Sequence, residues 1–396
     1  MRLAIVGGGA AGFFLAIQVK ELVPALEVTI LERQQRVLAK VEVSGGGRCN
    51  CTNTFASVSD LGQVYPRGAN LLKRLFRQFG PADAYRWFEA HGVPLTVQDD
   101  QCVFPEAQDS HAVINCFLRE TRRLGVSVRM GVKVESLDAL LRDFDFVAVT
   151  VGGVSSAASQ SSFFSVHPSL TPPVPSLFTF SIGDPALTAL MGVVAEHAVV
   201  GIPGTRFRTE GPLLITHWGM SGPAVLKLSS HAARHLAERS YQSPLWVNWI
   251  GESDVEAVRA RLLQLLADHG QKLLDNVRPY GLQARLWAYL LDKAQLQGRR
   301  AAEVGKKGVN RLVNLLTNDG YTIAGRSPYR DEFVTCGGVS LDSVEASTLR
   351  SKHHPRLFFA GEVLDIDGVT GGFNFQAAWT TAYAAARGIA QAVENP

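Results

Sequence analysis

Residues 2–33 read RLAIVGGGAAGFFLAIQVKELVPALEVTILER, and the order of apolar and glycine positions in this stretch decides the fold class. Leu3–Val6 and Val28–Leu31 are short apolar runs of strand length, and Ala10–Leu22 between them has apolar residues at helical spacing. Gly7, Gly9 and Gly12 stand at the first strand-to-helix junction in the order G-x-G-x-x-G. There the first glycine permits a tight turn, the second lets a diphosphate approach bare backbone, and the third lets helix and strand pack closely. The helix N-terminus adds unpaired N–H groups and the positive end of its dipole. Glu32 closes the second strand, where a carboxylate accepts from a ribose hydroxyl. A glycine-rich turn alone is a weak signal. Strand, helix, second strand and acid in order make a dinucleotide site the expectation.

Outward from this unit, residues 70–79 and 81–92 carry helical patterns, and 111–134 reads as a helix leading into a strand. Residues 144–153 (FDFVAVTVGG) are an apolar strand ending on a glycine doublet. HPSLTPPVPSL at 167–177 is proline-rich and reads as a crossing or linker. Short strand-like pieces follow, with helical patterns at 221–238, 254–268 and 281–296, before a strand at 356–362 and a terminal helix from about Asn374. The simplest organisation is α/β: one domain from both ends of the chain, 1–185 and 336–396, interrupted by an inserted mixed α+β domain over 186–335.

Two further glycine clusters look made for bare-backbone contact. Residues 44–53 are SGGGRCNCTN, and 357–379 are LFFAGEVLDIDGVTGGFNFQAAW, with Gly361-Glu362, Gly368, Gly371 and Gly372 at the end of a buried strand. In open α/β sheets ligands lie at the carboxyl ends of strands. Phe375, Ala378, Ala382, Ala385 and Ile389 recur at helical spacing, so a helix begins directly after the glycines, with its free N–H groups at the loop.

The stretches VSGGGRCNCTN (43–53), VFPEAQDSHAV (103–113), ITHWGMSGPAVLKLSS (215–230) and FAGEVLDIDGVTGGFNFQAAW (359–379) carry a resemblance to the BaiN/YhiN-like bacterial NAD(P)/FAD-dependent oxidoreductases over nearly the whole chain. That family resembles the fumarate-reductase and succinate-dehydrogenase flavoproteins in its FAD domain, which implies a Rossmann-like, fumarate-reductase-like (GR2-type) FAD-binding domain here. The resemblance implies that Gly7, Gly9, Gly12 and Glu32 bind the ADP half of FAD. It implies that Ser44, Gly45, Gly46, Gly47, Arg48, Cys49 and Asn50 run beside the flavin, and that Gly361, Glu362, Gly371, Gly372, Phe373 and Asn374 close over ribityl chain and ring. It extends the site to Arg33, Lys40, Val134, Gly152 and Asp367. Arg48, Cys49 and His217 are the candidates for action on the acceptor.

The Cys-x-Cys at Cys49 and Cys51 has no companion ligands at metal-binding spacing, and a disulfide across a single residue is strained. A flavin cradle is the better reading, with Arg48 offering a fixed fork of donors; whether Cys49 also reacts stays open. No metal is expected. His217 has two readings, a structural histidine and an acid near the substrate. The run GRRAAEVGKKGVNR (298–311) grips phosphate or nucleic acid on one reading and is a solvated face between helices on the default one.

Bulk composition narrows the class. The 396 residues are 46% hydrophobic and 19% charged with a net charge of +3, a balance that gives no general pull toward nucleic acid or acidic lipid. No apolar run reaches membrane-spanning length, glycines interrupt the only signal-peptide-like stretch, and five cysteines without a paired framework fit a reducing cytoplasm. Together with the resemblance, which implies a flavoenzyme, the expectation is a cytoplasmic protein with a small-molecule substrate, no nucleic acid and no membrane partner. The resemblance implies that it passes hydride from NAD(P)H or another donor through FAD to an organic acceptor such as an activated C=C bond; without a second fingerprint, NAD(P)H would be a transient donor. The alternative is an FAD-binding protein in tRNA modification or redox-responsive binding. Oligomeric state is not legible.

Overall fold

The computed structural model describes residues 1–154, 169–327 and 334–395. The chain divides into two compact units, Met1–Pro175 with Val334–Pro396, and Ser176–Phe333.

In the first unit, β1 (Arg2–Val6), β2 (Glu27–Leu31), β6 (Ser127–Arg129), β7 (Phe146–Val149) and β16 (Leu357–Phe359) form a parallel sheet in the order β16-β7-β1-β2-β6. Parallel strands covered on both faces read as continuous apolar runs, and all four residues of β7 are buried. Helix α1 (Ala10–Leu22) packs along α13 (Phe373–Glu394), with the ring of Phe14 5.4 Å from Trp379. Alanines at 377, 378, 382, 384, 385 and 386 are buried, and such small side chains let helix axes approach. The remaining helices are α2 (Ala39–Gly47), α3 (Ala69–Leu75), α4 (Pro81–Ala90), α5 (His111–Arg123) and α6 (Leu137–Asp143). A small antiparallel sheet joins β3 (Thr52–Asn53), β5 (Cys102–Pro105) and β4 (Leu95–Val97).

The proline-rich stretch holds the crossing between the units, at Pro175–Ser176, but it is not an unstructured linker. Leu170–Ser176 is a strand, β8, paired with β15 (Val334–Val339) in a two-stranded sheet. Pro172, Pro173 and Pro175 lack N–H groups, which an edge position tolerates. Residues 167–168 lie outside the described residues.

The second unit is a closed barrel of β9 (Phe180–Ile182), β10 (Val194–Gly201), β11 (Arg208–Thr216), β12 (Gly219–Ser221), β13 (Ser243–Asn248) and β14 (Asp319–Arg326), in the order β10-β11-β12-β9-β14-β13. Alternate residues of β14, Asp319, Tyr321 and Ile323, are buried, as a one-faced strand requires. Helices α7 (Pro185–Thr188), α8 (Pro223–His231), α9 (Ala233–Ala237), α10 (Val255–Asp268), α11 (Ala284–Lys293) and α12 (Gly305–Thr317) complete it. This unit begins ten residues before the expected 186 because β9 pairs with β12 and β14, both inside the barrel.

Candidate functional site

The site starts where β1 ends. Gly7 has φ +114°, and a Cβ there would stand 2.4 Å from the Thr150 carbonyl oxygen. Gly12 is confined by packing too, since its Cβ would fall 2.1 Å from the Gly7 oxygen. Thr150, a residue the sequence reading passed over, braces this turn by donating its hydroxyl to Val6 O (3.1 Å) and Gly7 O (2.9 Å). Gly9 is different: it caps α1 in extended conformation, and its Cβ would meet nothing within 4 Å. The three glycines thus divide into two that close the turn and one that faces open space beside the helix N-terminus, the layout a diphosphate needs.

Glu32 accepts from the backbone N–H of Gly8 (2.7 Å) and of Gln34 (2.8 Å), which fixes its carboxylate at the mouth of the turn. Arg33 is exposed beside it. Val132 N–H bonds to the Glu32 carbonyl oxygen (2.8 Å), so the segment holding Val134 runs alongside.

The 44–50 stretch is folded by its glycines. Gly45, Gly46 and Gly47 take φ of +57°, +69° and +84° in succession, a left-handed run open to glycine at little cost. Cβ atoms on Gly46 and Gly47 would again meet nothing within 4 Å. Ser44 donates its hydroxyl to Val41 O at 2.8 Å, and its carbonyl accepts from Cys49 N–H at 3.0 Å. Arg48 lies over the Phe104 ring at 4.3 Å and donates to Gly45 O (3.1 Å) and to Gln108 (3.2 Å), so its guanidinium is held in place. Cys49 and Cys51 are fully buried free thiols, 3.9 Å apart at sulfur. Burial, with Cys49 adjacent, pushes the Cys51 thiol well above its usual range. Among the described residues no cluster of side chains could hold a metal ion.

The C-terminal loop docks onto this stretch. With the Asn50 amide nitrogen turned to the carbonyls of Thr52 (2.8 Å) and Val103 (3.2 Å), its oxygen accepts from Gly372 N–H at 3.1 Å. Gly372, at φ +84°, caps α13, and a Cβ on it would stand 2.3 Å from Thr52 O. Asn53 donates to Gly371 O (3.0 Å), and Trp379 to Cys51 O (2.8 Å). Asn374 bridges both backbone groups of Gly368, at 2.8 and 2.9 Å, and so holds the entry turn. Tyr65 donates to Phe373 O at 2.8 Å, and burial raises its phenol well above the ordinary value. Beyond Gly372 the first N–H groups of α13 lack intrahelical partners by helix geometry.

Between the two halves, Lys40 pairs with Glu362 at 2.8 Å, and the other Glu362 oxygen accepts from Thr335 N–H at 3.0 Å. Gly152, at φ +77°, lies beside this carboxylate. Gly361 N–H bonds to Thr381 (2.9 Å), and a Cβ on Gly361 would press on Ala11 at 2.7 Å. Asp367 is fully buried and forms a two-pronged pair with Arg67. Its carboxylate is therefore engaged by the protein itself. His217 belongs to the barrel unit, exposed at the β11–β12 turn with its ring 4.5 Å from Trp218.

Hydrogen bonds thus tie Glu32 to the β1–α1 turn, Lys40 of α2 to Glu362, and Asn50 to Gly372 at the start of α13. Open space beside the backbone at Gly9, Gly46 and Gly47, where a Cβ would meet nothing within 4 Å, fits an extended dinucleotide that approaches backbone.

Comparison with known proteins bears on the family and the fold. The family model of the HI0933-like protein Rossmann domain matches residues 1–388. The 3-dehydro-bile acid delta(4,6)-reductase of Clostridium scindens is 27% identical over 98% of this chain and 99% of its own length. The ribosomal RNA dihydrouridine synthase of Haemophilus influenzae is 27% identical over 98% of each chain, and that of Escherichia coli 26% identical over 97% of each. Among solved structures, the 3-ketosteroid delta1-dehydrogenase of Sterolibacterium denitrificans shares the fold with a TM-score of 0.50 at 12% identity, over 98% of this chain and 99% of that one. With its family match running from residue 1 to residue 388, the chain belongs to the HI0933-like Rossmann family of flavin oxidoreductases.

Proposed function

We propose that this protein saturates a carbon–carbon double bond conjugated to a carbonyl group, with FAD as its cofactor and NAD(P)H as donor. Two kinds of relative support the reading from different directions. One is named for reducing a bile acid at double bonds conjugated to a 3-keto group. The other is named for making dihydrouridine, a uracil whose C5=C6 bond, conjugated to the C4 carbonyl, has been saturated. The acceptors differ and the reaction class is shared: hydride to the β-carbon and a proton to the α-carbon. When bound, reduced FAD supplies that hydride.

The observation that carries the reading is the double cradle, in which three successive left-handed glycines at 45–47 are tied through Asn50 to Gly372. On this reading Gly7, Gly9, Gly12 and Glu32 hold the ADP half, with Arg33 and Val134 flanking it. Ser44–Asn50 and Gly371–Asn374 hold the flavin half, while Lys40, Gly152, Gly361 and Glu362 lie between. Asp367 supports the C-terminal loop through Arg67. Arg48, immobilised on Phe104, offers positive charge to an electron-rich ring. Cys49, fully buried, packs. No second strand-linked fingerprint is present, so the nicotinamide donor docks transiently.

The test loads the protein with FAD, reduces it without oxygen, and follows flavin reoxidation as acceptors are added. A steroid 4-en-3-one or a uridine-containing RNA should reoxidise it, and an isolated alkene should not. Reoxidation by neither conjugated acceptor would overturn the reading.

A further inference from the structure

We propose that the barrel unit carries a cationic track that grips the phosphate backbone of an RNA strand. The proposal rests on the reductase reading above and names the carrier of the reducible base. The overall charge balance gives no general pull toward nucleic acid, but the fold gathers the short basic runs of 254–275 and 298–311. Backbone bonds from Ala301 N to Lys272 O (2.9 Å) and from Leu274 N to Arg299 O (2.9 Å) set Lys272 beside Arg299 and Arg300. Arg259 of α10 donates to Asn310 of α12, joining the helices that flank this strip. They enclose a groove of about 570 Å³, with Leu263, Leu266, Val304 and Val309 in its lining and Arg259 and Lys306 among its charged walls.

Residues 254–275 and 298–311 contain eight Lys and Arg against five Asp and Glu, so this face carries as much net charge as the whole chain, +3. Each acid is engaged locally. Asp254 caps α10, Glu256 pairs with Arg259 (3.1 Å), and Asp268 accepts from Gln264 (2.8 Å). Asp275 accepts from Gly298 N–H and Glu303 from Arg300 N–H, both at 3.1 Å. Lys272, Arg299, Arg300, Lys306, Lys307 and Arg311 are exposed. Lys306 and Lys307 also occupy the first turn of α12, which has no acid. Cations there oppose the helix dipole, and an anion relieves both charges. Adjacent cations from separate segments suit a ligand with one negative charge per nucleotide, and an apolar floor suits sugar and base faces.

The test uses the FAD-loaded full chain and a fluorescein-labelled oligouridylate of ~20 nucleotides, titrated by anisotropy. With about four phosphates neutralised, affinity should fall about fifty-fold between ~50 and ~200 mM salt. In Lys306→Gln/Lys307→Gln binding should weaken, and the same salt step should cost only about sevenfold. Removing equal charge at the β10–β11 turn, Arg206→Gln/Arg208→Gln, should leave affinity and salt response unchanged. No binding at ~50 mM salt, parental behaviour of the double lysine variant, or equal competition by polyglutamate would each overturn the track. Flavin reoxidation by the steroid enone in the same preparation separates the two readings. Enone turnover without RNA binding removes the track alone, and failure of both acceptors removes the reductase reading beneath it.

Discussion

Replacing Gly9 with alanine should separate binding from folding. Its φ of −93° and ψ of −168° are open to any residue, and the new methyl meets nothing within 4 Å. The fold therefore loses only the preference of a helix N-cap for glycine over alanine, at most ~1 kcal/mol. That corresponds to a fall of roughly 2–4 °C in the melting temperature of the apoprotein. The same methyl enters the space assigned to the diphosphate and prevents close approach to the α1 N-terminus. Losing one charge-assisted hydrogen bond there costs ~1.5–3 kcal/mol, or a roughly 10- to 150-fold rise in the FAD dissociation constant. Gly12→Ala is the contrast. Its Cβ would stand 2.1 Å from Gly7 O and 2.8 Å from the Thr150 hydroxyl, so the apoprotein itself must shift. Overpacking of this kind costs ~1–3 kcal/mol or more. Flavin-fluorescence titration gives the dissociation constants, and scanning fluorimetry of apoprotein gives the stabilities. Parental FAD affinity in Gly9→Ala, or equal destabilisation of both apoproteins, would refute the division of the glycines.

Three further outcomes follow from individual contacts. Glu32→Ala frees the N–H groups of Gly8 and Gln34, and the FAD dissociation constant should rise roughly 5- to 150-fold, a loss of ~1–3 kcal/mol; an unchanged constant removes Glu32 from the site. Cys49→Ala/Cys51→Ala should retain FAD and show the metal content of the parent, whereas stoichiometric zinc lost on substitution would show a metal site. His91, paired with the Glu21 carboxylate at 3.5 Å, is held above the ordinary imidazole value by that partner. Its stabilising contribution is complete below pH ~6.5 and is lost as pH rises through the raised value. The melting-temperature gap between parent and His91→Gln should therefore shrink as pH increases from ~6 to ~8, and a constant gap would refute the linkage.

How much of this was legible depended on whether the constraint was local. Gly7, Gly12 and Gly45–Gly47 announced themselves because their backbone or packing excludes side chains, and that requirement is written in the residue itself. The strand–helix–strand order of 2–31 and the start of α13 after Gly372 were legible for the same reason. The braces were not. Lys40 and Glu362 are 322 positions apart, and Arg67 and Asp367 are 300 apart. Thr150 is one threonine in an apolar strand until Gly7 folds against it. The barrel escaped notice because β9 and β12 have three residues each, too short for alternation, and closure depends on pairings such as Ile182 with Ile323. Leu170–Ser176 looked like a linker because proline content masks a strand that needs hydrogen bonds on one side only.

The most direct test of the account is a single anaerobic turnover. Holoenzyme with one FAD per chain is fully reduced, separated from excess donor, and mixed with one equivalent of a conjugated acceptor. Each flavin reoxidised should yield one acceptor molecule saturated at its C=C bond, by mass spectrometry and absorbance together. Flavin that stays reduced until oxygen or a quinone is admitted, with no saturated product, would contradict it.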